Sequence, residues 1–250
     1  MCDVRKSVVR FVALGLAAGL LSAAQLPAKA QVGGQVTINK KQKDARPRRE
    51  TNASREARIQ RTIEDTYSHR YEIYGGGGYL RFRSGSVTQR NNEVSWLMVG
   101  NYYLNPKLYI IGAAQGSFGN AKPTYFNGFA QSSNPQINEY FFSGGAGYRF
   151  YRKEKIALSA QGQAGIGWGI FSGGAKGIPS VDLGMWQDGT RPAFQLALNA
   201  DYNFYPNLAF RISPTWTGTT FVAAPGTPSS SIQSDMGFNA GFVYRFGRQK

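Results

Sequence analysis

The sequence predicts an all-β protein: an eight-stranded antiparallel up-and-down transmembrane β-barrel, preceded by a signal peptide and a basic, mostly disordered or marginally helical tail. Three observations carry this prediction. From residue 71 onward apolar residues recur with a period of two, the period of a strand. The connections between those segments alternate between short and long. The N-terminus runs from charged to apolar to small residues, the order of an export signal.

Residues 1–30 come first. Arg5, Lys6 and Arg10 precede an apolar run over 11–21, and Ala28-Lys29-Ala30 fits an A-x-A cleavage site. A cut after Ala24 is the alternative. The run is shorter than the roughly 20 residues a permanent spanning helix needs. Cys2, the single cysteine, lies ahead of the run. It is therefore no lipid-modified cleavage-point cysteine, and cleavage removes it. The mature chain then has no disulfide, Cys-based metal site or thiol nucleophile.

The formal charge of +15 divides into +3 over 1–30, +5 over 31–70 and +7 over 71–250. Export argues against nucleic acid as the basic chain's partner and in favour of anionic lipid headgroups. Residues 31–70 hold Lys40, Lys41, Lys43, Arg46, Arg48 and Arg49 within a polar stretch. Such a segment has too little apolar surface to fold alone and reads as a basic linker. A helix over 53–67 is expected inside it, with Asn52 as cap and Ile59, Ile63 and Tyr67 on one face. A helix of that length is marginal unless it docks. It is either a solvated tail or a segment that binds the barrel mouth, lipid or cell wall.

Residues 71–250 form the barrel domain. The clearest strands are 194–204, 208–216, 236–246 and 156–170. In 194–204, Phe194, Leu196, Leu198, Ala200, Tyr202 and Phe204 share one face and Gln195, Ala197, Asn199, Asp201 and Asn203 the other. In 236–246, Met236, Phe238, Phe242, Tyr244 and Phe246 oppose Gly237, Asn239, Gly241, Val243 and Arg245. Weaker copies at 140–151, 108–118, 94–104 and 71–83 complete eight. The last of these holds a run of four glycines and its facing is ambiguous. The connections 105–107, 152–155 and 205–207 are short, whereas 84–92, 119–138, 172–192 and 222–234 are long and rich in Gly, Ser, Pro and Asn. Membrane barrels show this asymmetry, with short periplasmic turns and longer outer loops. An even strand count then puts both termini in the periplasm.

Alternation alone does not say which face is outside, since a soluble barrel has the same period with its apolar residues inside. A solvated exterior would be dense in Lys and Glu. Here the polar face is mostly Gly, Ala, Ser, Asn, Gln and Thr, and only 17% of the chain is charged. Small uncharged groups suit a narrow interior. The aromatics gather at strand ends: Tyr102, Tyr148, Phe150, Tyr202, Phe204, Tyr244 and Phe246 by the short turns, and Phe82, Phe118, Trp168, Phe194, Trp216 and Phe238 toward the loops. Two belts match the interfacial girdles of a barrel facing lipid.

With these strands, belts and the terminal strand, the chain over 71–250 resembles the small outer-membrane β-barrel family of OmpA/OmpX type. The likeness is one of pattern, not of a specific motif. It implies the bacterial outer membrane as location, and outer-membrane lipids and the barrel-insertion machinery as partners. The family's barrels often end in an aromatic read by that machinery. Phe242, Tyr244 and Phe246 have the alternate spacing, but four further residues follow. The peptidoglycan-binding module of larger relatives has no counterpart.

No enzyme is expected. The single histidine, His69, precedes the first strand, whereas small barrel lipases and acyltransferases place a histidine on the barrel. The acids are scattered, no cluster has metal-ligand spacing, and no helix follows either glycine-rich run to build a phosphate cradle. No cofactor is implied. One polar constellation stands out: Arg149, Asp201, Arg211 and Arg245 fall on polar-face positions near the short turns. In an eight-strand barrel side chains fill the interior and buried charges must be paired. A hydrogen-bonded interior plug follows, with Asp201 and either Glu72 or Glu139 as partners. The alternative leaves these arginines solvated at the mouth. Two functional classes remain. One is a structural or surface-interaction barrel acting through long outer loops, where Tyr125, Phe126, Phe129 and Trp186 are binding candidates for an extracellular ligand. The other is a narrow channel or receptor for small molecules, which a filled interior disfavours.

Overall fold

The computed structural model describes residues 51–85, 88–121, 135–173, 177–222 and 232–249. The signal-peptide segment, the tail up to residue 50 and the loop candidates Tyr125, Phe126 and Phe129 lie outside the described residues. Eight strands follow one helix. They are α1 (Asn52–Tyr67), β1 (His69–Arg83), β2 (Arg90–Tyr103), β3 (Leu108–Asn120), β4 (Gln136–Arg152), β5 (Ile156–Gly173), β6 (Gly189–Tyr205), β7 (Leu208–Thr219) and β8 (Gln233–Arg248). Each strand pairs antiparallel with its sequence neighbours, and β8 returns to β1 to close the barrel. Closure leaves no sheet edge, so every strand has a hydrogen-bonding neighbour on both sides. No described helix is long and apolar enough to cross a membrane; the strands do the crossing.

The burial pattern settles the two faces. In β2 it alternates without a break, with Asn91, Glu93, Ser95, Leu97, Val99, Asn101 and Tyr103 inside. The outward positions are apolar and bare: Val94, Met98, Leu196, Leu198, Met236 and Phe242 are each more than half exposed. A water-facing surface would carry charge at such positions, so this band faces lipid. The strand with the four glycines resolves the same way: Glu72, Tyr74, Gly76, Gly78, Leu80 and Phe82 point inward, and Tyr71, Ile73, Tyr79 and Arg81 outward.

Glycine makes room for the interior rings. A Cβ on Gly147 would stand 2.2 Å from the Tyr109 ring, and one on Gly76 would stand 2.2 Å from the Tyr74 hydroxyl. Both tyrosines are buried. The sequence pays one methyl group at each site so that a large side chain can lie across the lumen.

The aromatic belts are contiguous. Tyr102 packs on Tyr71, Tyr71 stacks on Phe246, and Phe246 on Tyr244, with ring centroids 5.4–6.0 Å apart. Tyr202 and Phe204 meet edge to face on the same end. At the other end Phe118, Tyr140 and Trp168 form a run across three strands, and Phe194 meets Trp216. Such pairs contribute about 0.5–1.5 kcal/mol each beyond their burial. Trp216 is half-buried because Phe194 covers it, and its indole N–H donates to Ser234 Oγ at 2.6 Å. At Arg149/Tyr151 the register shifts, so Phe150 and Tyr151 both face outward.

Two expectations fail at the long-loop end. Phe82 belongs to no belt: it is fully buried inside the barrel. Trp186 is not an exposed loop aromatic: it is 2% exposed. After β5 the chain turns inward through a short 3₁₀ turn, Ser180–Leu183, which Gly184 ends in the left-handed conformation at φ 72°. This sends Leu183, Met185 and Trp186 down onto Leu80, Phe82, Ile137, Phe171 and Phe221. The Trp186 backbone N–H donates to Ser84 O and its indole N–H to Arg83 O, while Asp188 accepts from the backbone N–H groups of Phe171 and Ser172. An apolar ring held between satisfied backbone groups gains more inside than it would in water, which is why the loop closes over the mouth.

Candidate functional site

The interior is built in storeys, and the lowest carries most of the charge. Strand register assembles it. Glu72 on β1 lies opposite Arg245 on β8 and Asn101 on β2. Asp201 on β6 lies opposite Arg211 on β7. Arg149 enters from β4. All five charged side chains are buried, with Glu72 at 0% exposure.

Glu72 is the hub. Its Oε1 accepts from Arg211 Nη2 at 2.7 Å and from Asn101 Nδ2 at 2.7 Å. Its Oε2 accepts from Arg245 Nε at 3.0 Å, Arg149 Nη2 at 3.1 Å and the Tyr103 hydroxyl at 3.1 Å. Asp201 accepts two parallel bonds from Arg211, Nε to Oδ1 at 2.6 Å and Nη2 to Oδ2 at 2.8 Å. Arg245 Nη2 reaches the same Oδ2 at 3.0 Å and its Nη1 donates to Asn203 Oδ1 at 2.8 Å. Arg149 also donates to the Tyr103 hydroxyl. Three guanidiniums against two carboxylates leave one net positive charge. Aromatic faces take part of it: Arg149 lies 4.5 Å from the Tyr103 ring centroid and 5.0 Å from that of Tyr67, and Arg211 5.6 Å from that of Tyr74. Fork-shaped guanidiniums suit this, since each can bridge two acceptors at once.

The structure thus brings Arg149, Asp201, Arg211 and Arg245 into one network and adds Glu72 at its centre. Glu139 is not a member. It lies opposite Ser117 and Gly169 toward the long loops, because β4 runs on past Tyr140 and carries it away from the short turns. The arginines are not solvated at the mouth either, because α1 covers it. That helix begins at Asn52 with Thr51, not Asn52, as its cap: Thr51 Oγ1 accepts from the Ser54 N–H. It ends on Tyr67, which is 3% exposed. The Tyr67 hydroxyl donates to Lys153 O at 2.8 Å and accepts from Asn203 Nδ2 at 3.1 Å, while its ring lies beneath Arg149 and Arg245. Burial pushes the Tyr67 phenol up from its ordinary value of 10.0; the Asn203 bond and the arginines oppose this without cancelling it. The His69 ring meets Thr66 O through Nδ1 at 3.2 Å, and its backbone carbonyl accepts from Gln249 Nε2.

Above the charged storey lies an amide storey. Gln195 donates to Gln115 and Thr217, Gln163 to Gln195, and Ser143 to Gln163; Asn199 donates to Gln161 and accepts from Ser213. Higher again are Glu93, Glu139 and Asp235, and above them the apolar lid around Trp186. Chemically, the lower storey is a set of charge-assisted bonds in which each guanidinium donates to a carboxylate, while Arg149 Nε and Asn101 Oδ1 have no partner. Among the described residues no nucleophile or general base stands free beside it.

No family model matches the chain, and no curated protein matches it. Solved structures do. The chain is similar to Ail, the attachment invasion locus protein of Yersinia pestis, in complex with the heparin analogue sucrose octasulfate, at 15% identity and a TM-score of 0.45 over 72% of this chain and 99% of that one. It is similar to Neisserial surface protein A at 11% identity and a TM-score of 0.47, over 70% and 97% of the two chains. With the outer membrane protein OprG from Pseudomonas aeruginosa the figures are 12% and 0.47, over 72% and 98%.

Proposed function

We propose that this chain is a non-conducting integral barrel of the bacterial outer membrane, with a structural or surface-interaction role exercised through its long outer loops. The observation that carries this reading is the Glu72-centred storey. Five charged side chains, all buried and mutually bonded, cross the lumen of an eight-strand barrel, whose interior is only wide enough for its own side chains. A solute would have to break several charge-assisted bonds to pass. Below, Tyr67 stoppers the same end; above, the Trp186 lid covers the other. With the lumen filled, the surfaces left for a partner are the segments between β1 and β2, β3 and β4, β5 and β6, and β7 and β8.

In this reading residues 1–30 are the cleaved signal peptide, 31–70 a basic periplasmic linker ending in α1, and both termini are periplasmic. The long 121–135 and 220–232 connections, the first carrying Tyr125, Phe126 and Phe129, bear the interaction surface. Barrel-insertion machinery reads the aromatic β8. The test is a set of loop-deleted barrels, each shortened at one of these two connections and scored for attachment to cells and to extracellular matrix components. Loss of attachment with the barrel still folded supports the reading. Unchanged attachment by both deletions would sink it.

A further inference from the structure

The short-turn end of the barrel carries a cleft outside the lumen. The β4–β5 turn is fixed by its own backbone. The Lys153 N–H donates to Ile156 O at 2.9 Å, and Lys155 O accepts from the Asn203 N–H at 2.8 Å. Lys153 O accepts from the Tyr67 hydroxyl at 2.8 Å and Glu154 O from Asn203 Nδ2 at 3.2 Å. Tyr67 thereby ties α1 to this turn, and a cavity of about 490 Å³ remains between helix and turn. That volume falls within the roughly 300–1,000 Å³ of small-molecule sites. Ile59 and Ile63 of α1 form one wall, and Tyr151 and Ile156 the other. Only Tyr67 takes the apolar stripe of α1 into the barrel; Ile59 and Ile63 stay half-buried beside the cleft. Tyr151 and Ile156 are 42% and 46% exposed, and Ile156 lies opposite Tyr202 of the aromatic belt. The cleft is therefore at belt level, where acyl chains give way to headgroups.

Four charged residues complete the lining: Glu56, Lys153, Glu154 and Lys155. Among the described residues none of these side chains has a hydrogen bond or an ion pair. The neighbouring Arg152 and Glu64 are engaged elsewhere, the first over the Tyr67 ring at 5.9 Å from its centroid and the second with Gln60. Two ammonium groups and two carboxylates leave the rim neutral. A purely anionic head would meet both carboxylates, and a purely cationic one both lysines. The matching occupant carries one anionic and one cationic group on a short polar head above an apolar body. The chain's own 31–49 segment does not match, with six Lys and Arg residues against one Asp. A zwitterionic phospholipid does. Its phosphate answers the lysines and its ammonium the glutamates, while its apolar part covers the four apolar walls. An ethanolamine head fits better than a choline head, because only a protonated amine has N–H groups to donate to the carboxylates.

We propose, on the outer-membrane placement given above, that the cleft between α1 and the β4–β5 turn binds one ethanolamine phospholipid from the leaflet on the short-turn side. The helix then serves both sides of the wall: Tyr67 closes the lumen, and Ile59 and Ile63 hold a lipid against the barrel.

The test inserts the full chain into vesicles of equal parts phosphatidylethanolamine, phosphatidylcholine and phosphatidylglycerol, extracts it in mild detergent and counts retained lipid by native mass spectrometry. The expected result is one phosphatidylethanolamine per chain, enriched about ten-fold over either other lipid, which is what one charge-assisted hydrogen bond is worth. K153A/K155A should retain the three lipids alike. E56K/E154K makes the rim wholly cationic and should retain phosphatidylglycerol instead. Heat-modified migration reads the folding of each variant, and the wild-type count stands even if one fails to fold. No retained lipid, equal retention of the three by wild type, or phosphatidylglycerol as the wild-type lipid would each overturn the site. Unchanged phosphatidylethanolamine enrichment in both variants would overturn it too. A barrel that inserts and retains nothing leaves the membrane placement standing, whereas a chain that never inserts sinks both.

Discussion

Glu72→Gln changes one oxygen to an NH2 group at the point where the lower storey converges. The wild-type carboxylate accepts five bonds, three of them from guanidiniums. A glutamine keeps one acceptor oxygen and points two N–H donors at the other position. If the oxygen stays with Arg211 and Asn101, the new NH2 faces Arg245, Arg149 and Tyr103, which are also donors. If it flips, Arg211 meets the NH2. Either way at least one buried guanidinium loses its acceptor, and the storey goes from one net positive charge to two. Removing one partner of a buried pair costs about 3–5 kcal/mol. For a chain of this size that lowers the melting temperature by about 6–20 °C. The assay is heat-modified migration on gels, with the folded barrel in detergent, beside Glu64→Gln on the exposed face of α1, which should stay within about 0.5 kcal/mol of wild type. An E72Q barrel as heat-resistant as wild type would refute the claim that Glu72 holds the storey together.

Other outcomes follow from the same geometry. Asp201→Asn breaks the two-pronged bond to Arg211 but leaves Glu72 to both arginines, so its loss of heat or denaturant resistance should be real and smaller than that of E72Q. Trp186→Ala removes the largest ring of the lid, a change of about 3–5 kcal/mol for a buried Trp; limited proteolysis should then cut within 177–188, where the wild-type segment resists. The raised Tyr67 phenol binds its proton more tightly in the folded state, so its contribution to docking is full below pH 10 and fades as pH rises through the folded value. The absorbance difference between wild type and Tyr67→Phe should therefore show one phenolate appearing above pH 10, and a midpoint at or below 10 would contradict the docking.

The strand count, the inward and outward faces and the four charged members of the lower storey were legible because each rests on a period of two. What escaped lies where that period meets tertiary packing. Trp186 sits in a stretch with no alternation, and only the turn at Gly184 tells it to fold inward. Phe82 lies at belt depth along its strand, but its parity, two steps from Leu80, places it inside. Glu93 and Asp235 each lie one residue outside the regular apolar alternation of 94–104 and 236–246. Continuing it to Arg90 and Gln233 puts both on the inner face beside Asn91. Docking of α1 at the barrel mouth is one of the readings its apolar face allows, but the partners of Tyr67 were not legible, since α1 and the β4–β5 turn meet only through closure of the barrel.

The central claim is that side chains fill this barrel from end to end. Its most direct test is current recording on the purified wild-type protein reconstituted in a planar lipid bilayer. The account predicts no steady conductance above the bare membrane at any moderate voltage. A stable, ion-sized open level in the wild-type barrel would contradict it and make the protein a channel.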